Sequence, residues 1–229
     1  MPTPRVFRQE PYPVPPGATE ILLVRHGASE PAVEGVAFPL ADGHGDPALS
    51  EVGKVQAEQV GERLAGERID AIYVTSLRRT HETAAPLATR LGITPVVERE
   101  LREVHLGEWE GGLVRAKVAD QDPVAVSVFA EQRWELIPGA ESAEGFAERV
   151  TSGIKRIATA HPDGRVAVFA HGASIGEVLR IATGSEPFAL LGADNASISV
   201  LVVHGQRWRL RRYNDTTHLH ADVVLRPDS

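Results

Sequence analysis

The stretch Ile21-Leu22-Leu23-Val24-Arg25-His26-Gly27 sets the terms for the fold. Four consecutive apolar residues read as a strand buried on both faces, so the chain must supply a covering layer on each side of its sheet. The run stops at a basic pair, and Gly27 then lets the backbone turn sharply and approach a ligand closely. A guanidinium and an imidazole are thereby delivered to the carboxyl end of a core strand, where open α/β sheets hold their ligands. Val166 to Ala170 repeats the device and runs into His171-Gly172.

The rest of the chain alternates strand and helix. Residues 31–49 carry Gly, Pro and Asp and read as a loop. Ser50 is a candidate N-cap for a helix to about Ala65, with Val52, Val55, Val60 and Leu64 along its apolar side. Ile69 to Val74 reads as a strand ending in Thr75-Ser76-Leu77-Arg78-Arg79. The following helix carries Ala84, Leu87, Ala88 and Leu91 on one face and stops at Gly92. Pro95-Val96-Val97 is a short third strand. A helix from about Ala143 to Ala160 carries Phe146, Val150, Ile154 and Ile157, and one after His171 carries Ile175, Val178, Leu179 and Ala182 up to Gly184. Ser197 to Val203 and Trp208 to Tyr213 make a final pair of strands.

This order predicts a three-layer α/β/α sandwich with a mainly parallel central sheet. Residues 1–19, with six prolines, form an arm that cannot be helical. One domain is expected over 20–225. The irregular stretch at about 105–141, with Trp109, Trp134, Pro123 and Pro138, reads as a small insertion over the active-site edge.

A net charge of −7 argues against a nucleic-acid or anionic-membrane partner, because both select for basic surfaces. The absence of cysteine excludes disulfides, thiolate chemistry and Cys-based zinc sites. No apolar run approaches the ~20 residues of a membrane span, and the first twenty residues lack the apolar core of a signal peptide. A soluble, cytoplasmic protein is the expectation. A homodimer is possible through the edge strand near Trp208.

In a parallel sheet Arg25-His26, Ser76 to Arg79 and His171-Gly172 share one edge. Arginine is permanently charged and offers a planar fork that matches phosphate or carboxylate oxygens. Arg25 and Arg79 would hold an oxyanion, and the helix N-termini near Ser174 or Arg79 could add backbone N–H donors. A neutral imidazole between them could attack phosphorus.

With those residues in view, the chain resembles the histidine phosphatase superfamily, the phosphoglycerate mutase-like fold. Arg25-His26-Gly27 resembles its nucleophile motif, and Leu77-Arg78-Arg79-Thr80-His81-Glu82-Thr83-Ala84 its arginine motif. Leu101-Arg102-Glu103-Val104-His105-Leu106-Gly107-Glu108-Trp109-Glu110-Gly111 resembles the acid segment, and Phe169-Ala170-His171-Gly172 the second-histidine motif. Pro138-Gly139-Ala140-Glu141-Ser142 and Asn214-Asp215-Thr216-Thr217-His218-Leu219 are also similar to family segments. The ordered set runs from about residue 20 to 220. Two departures stand out: Ala28 follows Arg-His-Gly where a polar residue is common, and no asparagine follows Glu30 at the usual place.

The resemblance implies a phosphatase without cofactor or metal, acting on a small-molecule phosphomonoester. His26 would be the nucleophile, with Arg25, Arg79 and His171 holding the phosphoryl oxygens. Glu103 would be the proton donor, ahead of Glu100, Glu108 and Glu110. Ser29 and Gly172 would be second-tier substrate contacts. The nearest alternative is a cofactor-dependent phosphoglycerate mutase; the Gly107-Glu108-Trp109-Glu110-Gly111 form is more like the phosphatase branch. A metal site of His26, His171, Glu103, His218 and His220 is a further reading, opposed by the arginines that would repel the ion. A non-catalytic phosphoester-binding protein is the last, and it would be expected to lack His26 or Glu103.

Overall fold

The computed structural model describes residues 7–9 and 13–219, so residues 1–6 and 10–12 of the proline-rich arm and His220 lie outside the described residues. The chain runs β1 (Thr19–Arg25), β2 (Leu40–Ala41), β3 (His44–Gly45), α1 (Glu51–Leu64), β4 (Ala71–Val74), α2 (Arg78–Leu91) and β5 (Val96–Val97). It continues with α3 (Leu113–Ala119), α4 (Pro123–Glu131), α5 (Ala143–Ala160), β6 (Arg165–Ala170), α6 (Gly172–Thr183), β7 (Ile198–His204) and β8 (Arg207–Asp215). The main sheet has the order β5-β4-β6-β1-β7-β8. Strands β5, β4, β6 and β1 are parallel, while β7 runs antiparallel to β1 and β8 antiparallel to β7.

Because successive residues of a strand face opposite ways, β1 serves two cores. Ile21 and Leu23 join Val166, Val168, Val150, Ile154 and Leu179 beneath α5 and α6. Leu22 and Val24 join Ile72, Phe169, Val60 and Leu87 beneath α1 and α2. The continuous apolar run thus has its cover on each face, and the three layers follow. A third, smaller cluster of Trp109, Ala125, Val128 and Ile137 lies within residues 105–141.

Helix ends form where local chemistry predicts. Ser50 accepts a hydrogen bond from the Gly53 N–H at 3.2 Å, Ser142 does the same for Gly145 at 3.1 Å, and α2 ends at Gly92 with φ +66°.

Three readings of the sequence are corrected. Residues 40–45, read as loop, form the β2–β3 hairpin. The strand read from Ile69 begins at Ala71. The buried side of α1 is Gln56, Ala57, Gln59, Val60 and Leu64, whereas Val55 is 49% exposed. Buried Gln56 escaped a hydropathy pattern because its cost is met locally: its Oε1 accepts from the Ala28 N–H at 2.8 Å.

That contact belongs to a close approach between the turn after β1 and the start of α1. A Cβ on Gly53 would lie 2.0 Å from the Ala28 carbonyl oxygen, and one on Gly27 would lie 2.6 Å from that of Gly53. Gly53→Ala is therefore expected to cost about 1–3 kcal/mol in urea unfolding. Gly66→Ala, which meets nothing within 4 Å, should stay within about 0.5 kcal/mol of the parent. Equal stability of the two variants would refute the role given to this contact.

Candidate active site

The parallel strands put the ends of β1, β4 and β6 on one edge, and the residues that follow them meet there. Arg25, His26, Ser29, Arg79, Glu103 and Gly172 all line a single cavity of about 580 Å³. His171 lies directly behind it, fully buried, with its ring centroid 5.3 Å from that of His26. Arg78 points away and is exposed, paired with Glu82, so Arg79 is the arginine of this pair that reaches the site.

The nucleophile candidate is oriented by its own backbone. His26 Nδ1 is 2.7 Å from the Gly27 carbonyl, which can only accept, so Nδ1 carries the proton and Nε2 keeps a free lone pair. Burial, then the charges of Arg79 and Arg25, push the imidazole well below the ordinary histidine value. His171 is shifted the same way by burial, Arg79 and His26. Its Nε2 meets Thr75 Oγ1 at 2.9 Å.

The two guanidinium groups are held by carbonyls rather than carboxylates. Arg25 Nη1 donates to the Ala193 carbonyl and Arg79 Nη1 to that of Gly45, the latter at 2.9 Å. The nearest carboxylate to Arg79 is Asp46, at 3.9 Å. Arg25 Nε is buried without a hydrogen-bond partner among the described residues. Gly172 gives this guanidinium room, since a Cβ there would sit 3.4 Å from Nε. Burial, offset in part by Glu103, lowers the pKa of both arginines. The turn that carries His26 is tied to the helix that carries Arg79 by Thr83, whose Oγ1 accepts from the Gly27 N–H and donates to the Arg79 carbonyl.

Part of the N–H donors at the two helix N-termini is already taken by side chains. The Glu103 carboxylate accepts from Ala173 and Ser174 at the start of α6, and Asp46 accepts from Arg78 at the start of α2. Glu103 also accepts from the Val104 N–H at 3.0 Å. Among its rivals, Glu110 spends its oxygens on the Gly45 and Leu106 N–H groups, and Glu100 and Glu108 do not line the cavity.

Asn195 and His44 were not anticipated in the site, whereas Arg115 and Lys117 belong to the 105–141 stretch that the sequence puts over the active-site edge, at the mouth of the pocket. Arg115 reaches in from α3, donating to Ser29 Oγ at 2.7 Å and the Glu30 carbonyl at 2.8 Å. Asn195 lines the cavity and donates to the His26 carbonyl at 2.9 Å. His44, on β3, is buried in the wall and stacks edge-on against His105. Lys117 faces elsewhere, paired with Asp122.

His218 is held by the Ala196 carbonyl and does not line the cavity. Among the described residues no group of three or more His, Asp or Glu side chains is arranged to hold a metal ion. Nor is any described helix long and apolar enough to cross a membrane.

A strand-end histidine with a free Nε2 thus shares one cavity with two arginines. Residues 21–216 match the histidine phosphatase superfamily, branch 1, and the chain belongs to that family. It is a phosphatase. It is 35% identical over 208 residues to a metal-independent phosphoserine phosphatase of Arabidopsis thaliana, covering 89% of this chain and 84% of that one. It is 31% identical to glucosyl-3-phosphoglycerate phosphatase of Mycobacterium tuberculosis, covering 90% and 99% of the two chains. The solved structure of a mycobacterial glucosyl-3-phosphoglycerate phosphatase superposes with a TM-score of 0.71 at 28% identity, over 87% of this chain and all of that one.

The depressed histidines carry a stability consequence. Below pH ~6.5 the unfolded chain binds protons at His26 and His171 that the folded protein refuses. Stability contributed by these rings is fully present above that pH and is lost as pH falls. Urea midpoints should drop between pH 7 and 5, and both rings should stay neutral at pH 6 in ¹⁵N-imidazole spectra. A ring titrating at or above 6.5 would contradict the burial argument.

Proposed function

We propose that the protein hydrolyses phosphomonoesters through a phosphohistidine on His26. The observation that carries this reading is the free Nε2 of His26 in a cavity that Arg25 and Arg79 also line, two cations whose close partners are carbonyls, with Asp46 3.9 Å from Arg79. The lone pair attacks phosphorus, a nitrogen–phosphorus bond forms, and the bond to the alcohol oxygen breaks. Arg25, Arg79 and the His171 ring hold the three non-bridging oxygens, which supports most of the rate in a reaction governed by positioning and charge. Glu103 gives a proton to the departing alkoxide. It then takes one from the water that attacks phospho-His26, releasing inorganic phosphate and restoring both side chains. Ser29 and Arg115 sit at the cavity wall as further contacts.

Beyond the phosphate seat the wall is largely apolar, with Phe38, Trp109, Phe129 and Trp134. Phe129 is 47% exposed and packs edge-on against Trp134. Relatives act, by their names, on phosphoserine and on glucosyl-3-phosphoglycerate. The aromatic wall favours a substrate whose organic part has apolar surface. A mutase would need cations for a second phosphate, and among the described residues Arg115 is the one Arg or Lys besides Arg25 and Arg79 that lines the cavity.

Quenching turnover of a labelled phosphomonoester in denaturant should leave acid-labile, base-stable phosphate on His26. His26→Ala should carry no label and have almost no activity. Activity near the parent level in that variant would end the proposal. Phe129→Ala should raise KM for an aryl-alkyl phosphate on the order of tenfold, as for about 50 Å² of lost apolar contact, and leave glycerol 2-phosphate unchanged. Equal effects on both would remove Phe129 from the substrate seat.

A further inference from the structure

The segment that carries Glu103 has no regular structure to hold it. Residues 102–105 lie between a single 3₁₀ turn at Arg99–Leu101 and another at Gly107–Trp109, so their carbonyls lack ladder partners. Backbone carbonyls in such a place must find other donors.

They find one. Arg149, on α5, donates from Nη1 to the carbonyls of Glu100 at 2.7 Å and Arg102 at 2.9 Å, and from Nη2 to that of Glu103 at 2.8 Å. Its remaining N–H groups reach both carboxylate oxygens of Glu141, Nε to Oε1 at 2.6 Å and Nη2 to Oε2 at 2.8 Å. A guanidinium has five N–H bonds, and all five have an acceptor here. The Arg149 side chain is 14% exposed, and its charged end lies 4.7 Å from the centre of the Phe146 ring.

Glu141 extends the attachment. Its Oε2 accepts from the His105 N–H at 3.2 Å, and its own N–H donates to the His105 carbonyl at 2.9 Å. Glu141 lies in the Pro138-to-Ser142 segment, which the site described above does not use. Burial works against its ionised form, but Arg149 outweighs it and holds the carboxyl below the ordinary value.

Glu103 is therefore fixed at both ends. Its carboxylate is seated on the N-terminus of α6, and its main chain is bolted to α5. Neither Arg149 nor Glu141 lines the cavity. We propose that Arg149, braced by Glu141, is the positioning residue for the proton-transfer step: it fixes the main chain so that the Glu103 carboxyl meets the leaving oxygen. This rests on the acid role given to Glu103 above.

A general acid matters most when the leaving group is poor. The experiment compares an alkyl phosphate with 4-nitrophenyl phosphate in Arg149→Met, Arg149→Lys, Glu103→Gln and the Arg149→Met/Glu103→Gln pair. Glu103→Gln should lose about 10²–10⁴-fold on the alkyl phosphate and less on the aryl one. Arg149→Met should show the same selectivity, at least about tenfold greater loss on the alkyl phosphate, and add little in the double variant. Hydrogen exchange at Ala173 and Ser174, which donate to Glu103, should quicken. Arg149→Lys keeps the charge but lacks the fork, so it should fold and still show the selective loss. It carries the test if Arg149→Met does not fold.

Equal losses on both substrates in the folded Arg149 variants, or losses that multiply with Glu103→Gln, would overturn the proposal and leave the acid role of Glu103 standing. An unselective Glu103→Gln would overturn both, and the label on His26 would show whether the nucleophile survives.

Discussion

Two guanidinium groups are drawn largely out of water at one point of this protein, with carbonyls as their close partners and the Asp46 carboxylate no nearer to Arg79 than 3.9 Å. Burying a charge is expensive unless it is paired and hydrogen-bonded. Arg25 and Arg79 receive carbonyl oxygens instead, from Ala193 and Gly45, which orient the groups but do not neutralise them. Burial first, and then the charge of the two arginines, which Glu103 offsets only in part, keep the neighbouring imidazoles unprotonated. Much of the surrounding structure serves to hold that arrangement against its own repulsion.

The scaffold does so by spending competing donors and acceptors elsewhere. Carboxylates that would neutralise the arginines are drawn to helix N-termini, Glu103 to α6 and Asp46 to α2, where backbone N–H groups stabilise negative charge. Threonines stitch the pieces together, Thr83 joining the turn after β1 to α2 and Thr75 reaching His171. The rigid sheet supplies the common edge, so four chain-distant segments meet within a space suited to one phosphoryl group.

How much of this could be read from the residues depended on the kind of interaction. Apolar runs and strand-end motifs gave the layers, the sheet and the cluster of Arg25, His26, Arg79 and His171, because burial and strand polarity have short, regular signatures, whereas Glu103 came only from the family resemblance of residues 101–111. Arg79 rather than Arg78 followed from its place in the motif, and the geometry agrees. Asn195 and His44 were not legible as site members, and Arg115 could be placed at the pocket mouth but not oriented. Each arrives through an irregular segment whose path is fixed by individual hydrogen bonds, such as Arg115 to Ser29, that no periodicity encodes. The buried face of α1 was misread for a related reason: Gln56 is interior because one backbone N–H needs it. Some of the N–H groups expected to be free at two helix starts, those of Arg78, Ala173 and Ser174, are claimed by side chains from distant positions.

The position of β1 in the sheet has a consequence for how the chain comes off the ribosome. This strand, near the N-terminus, lies between β6 and β7, and Glu20 is registered with Arg165, 145 positions later. At roughly 5–20 residues per second, its partners emerge on the order of ten to thirty seconds after it does. Throughout that interval Ile21 to Val24 is an unpaired apolar segment, a natural client for a holding chaperone. The two histidines can meet only when that wait ends. The newborn chain thus acquires its fold and its reactive centre in the same late event, so no half-made, partly competent form precedes the finished protein.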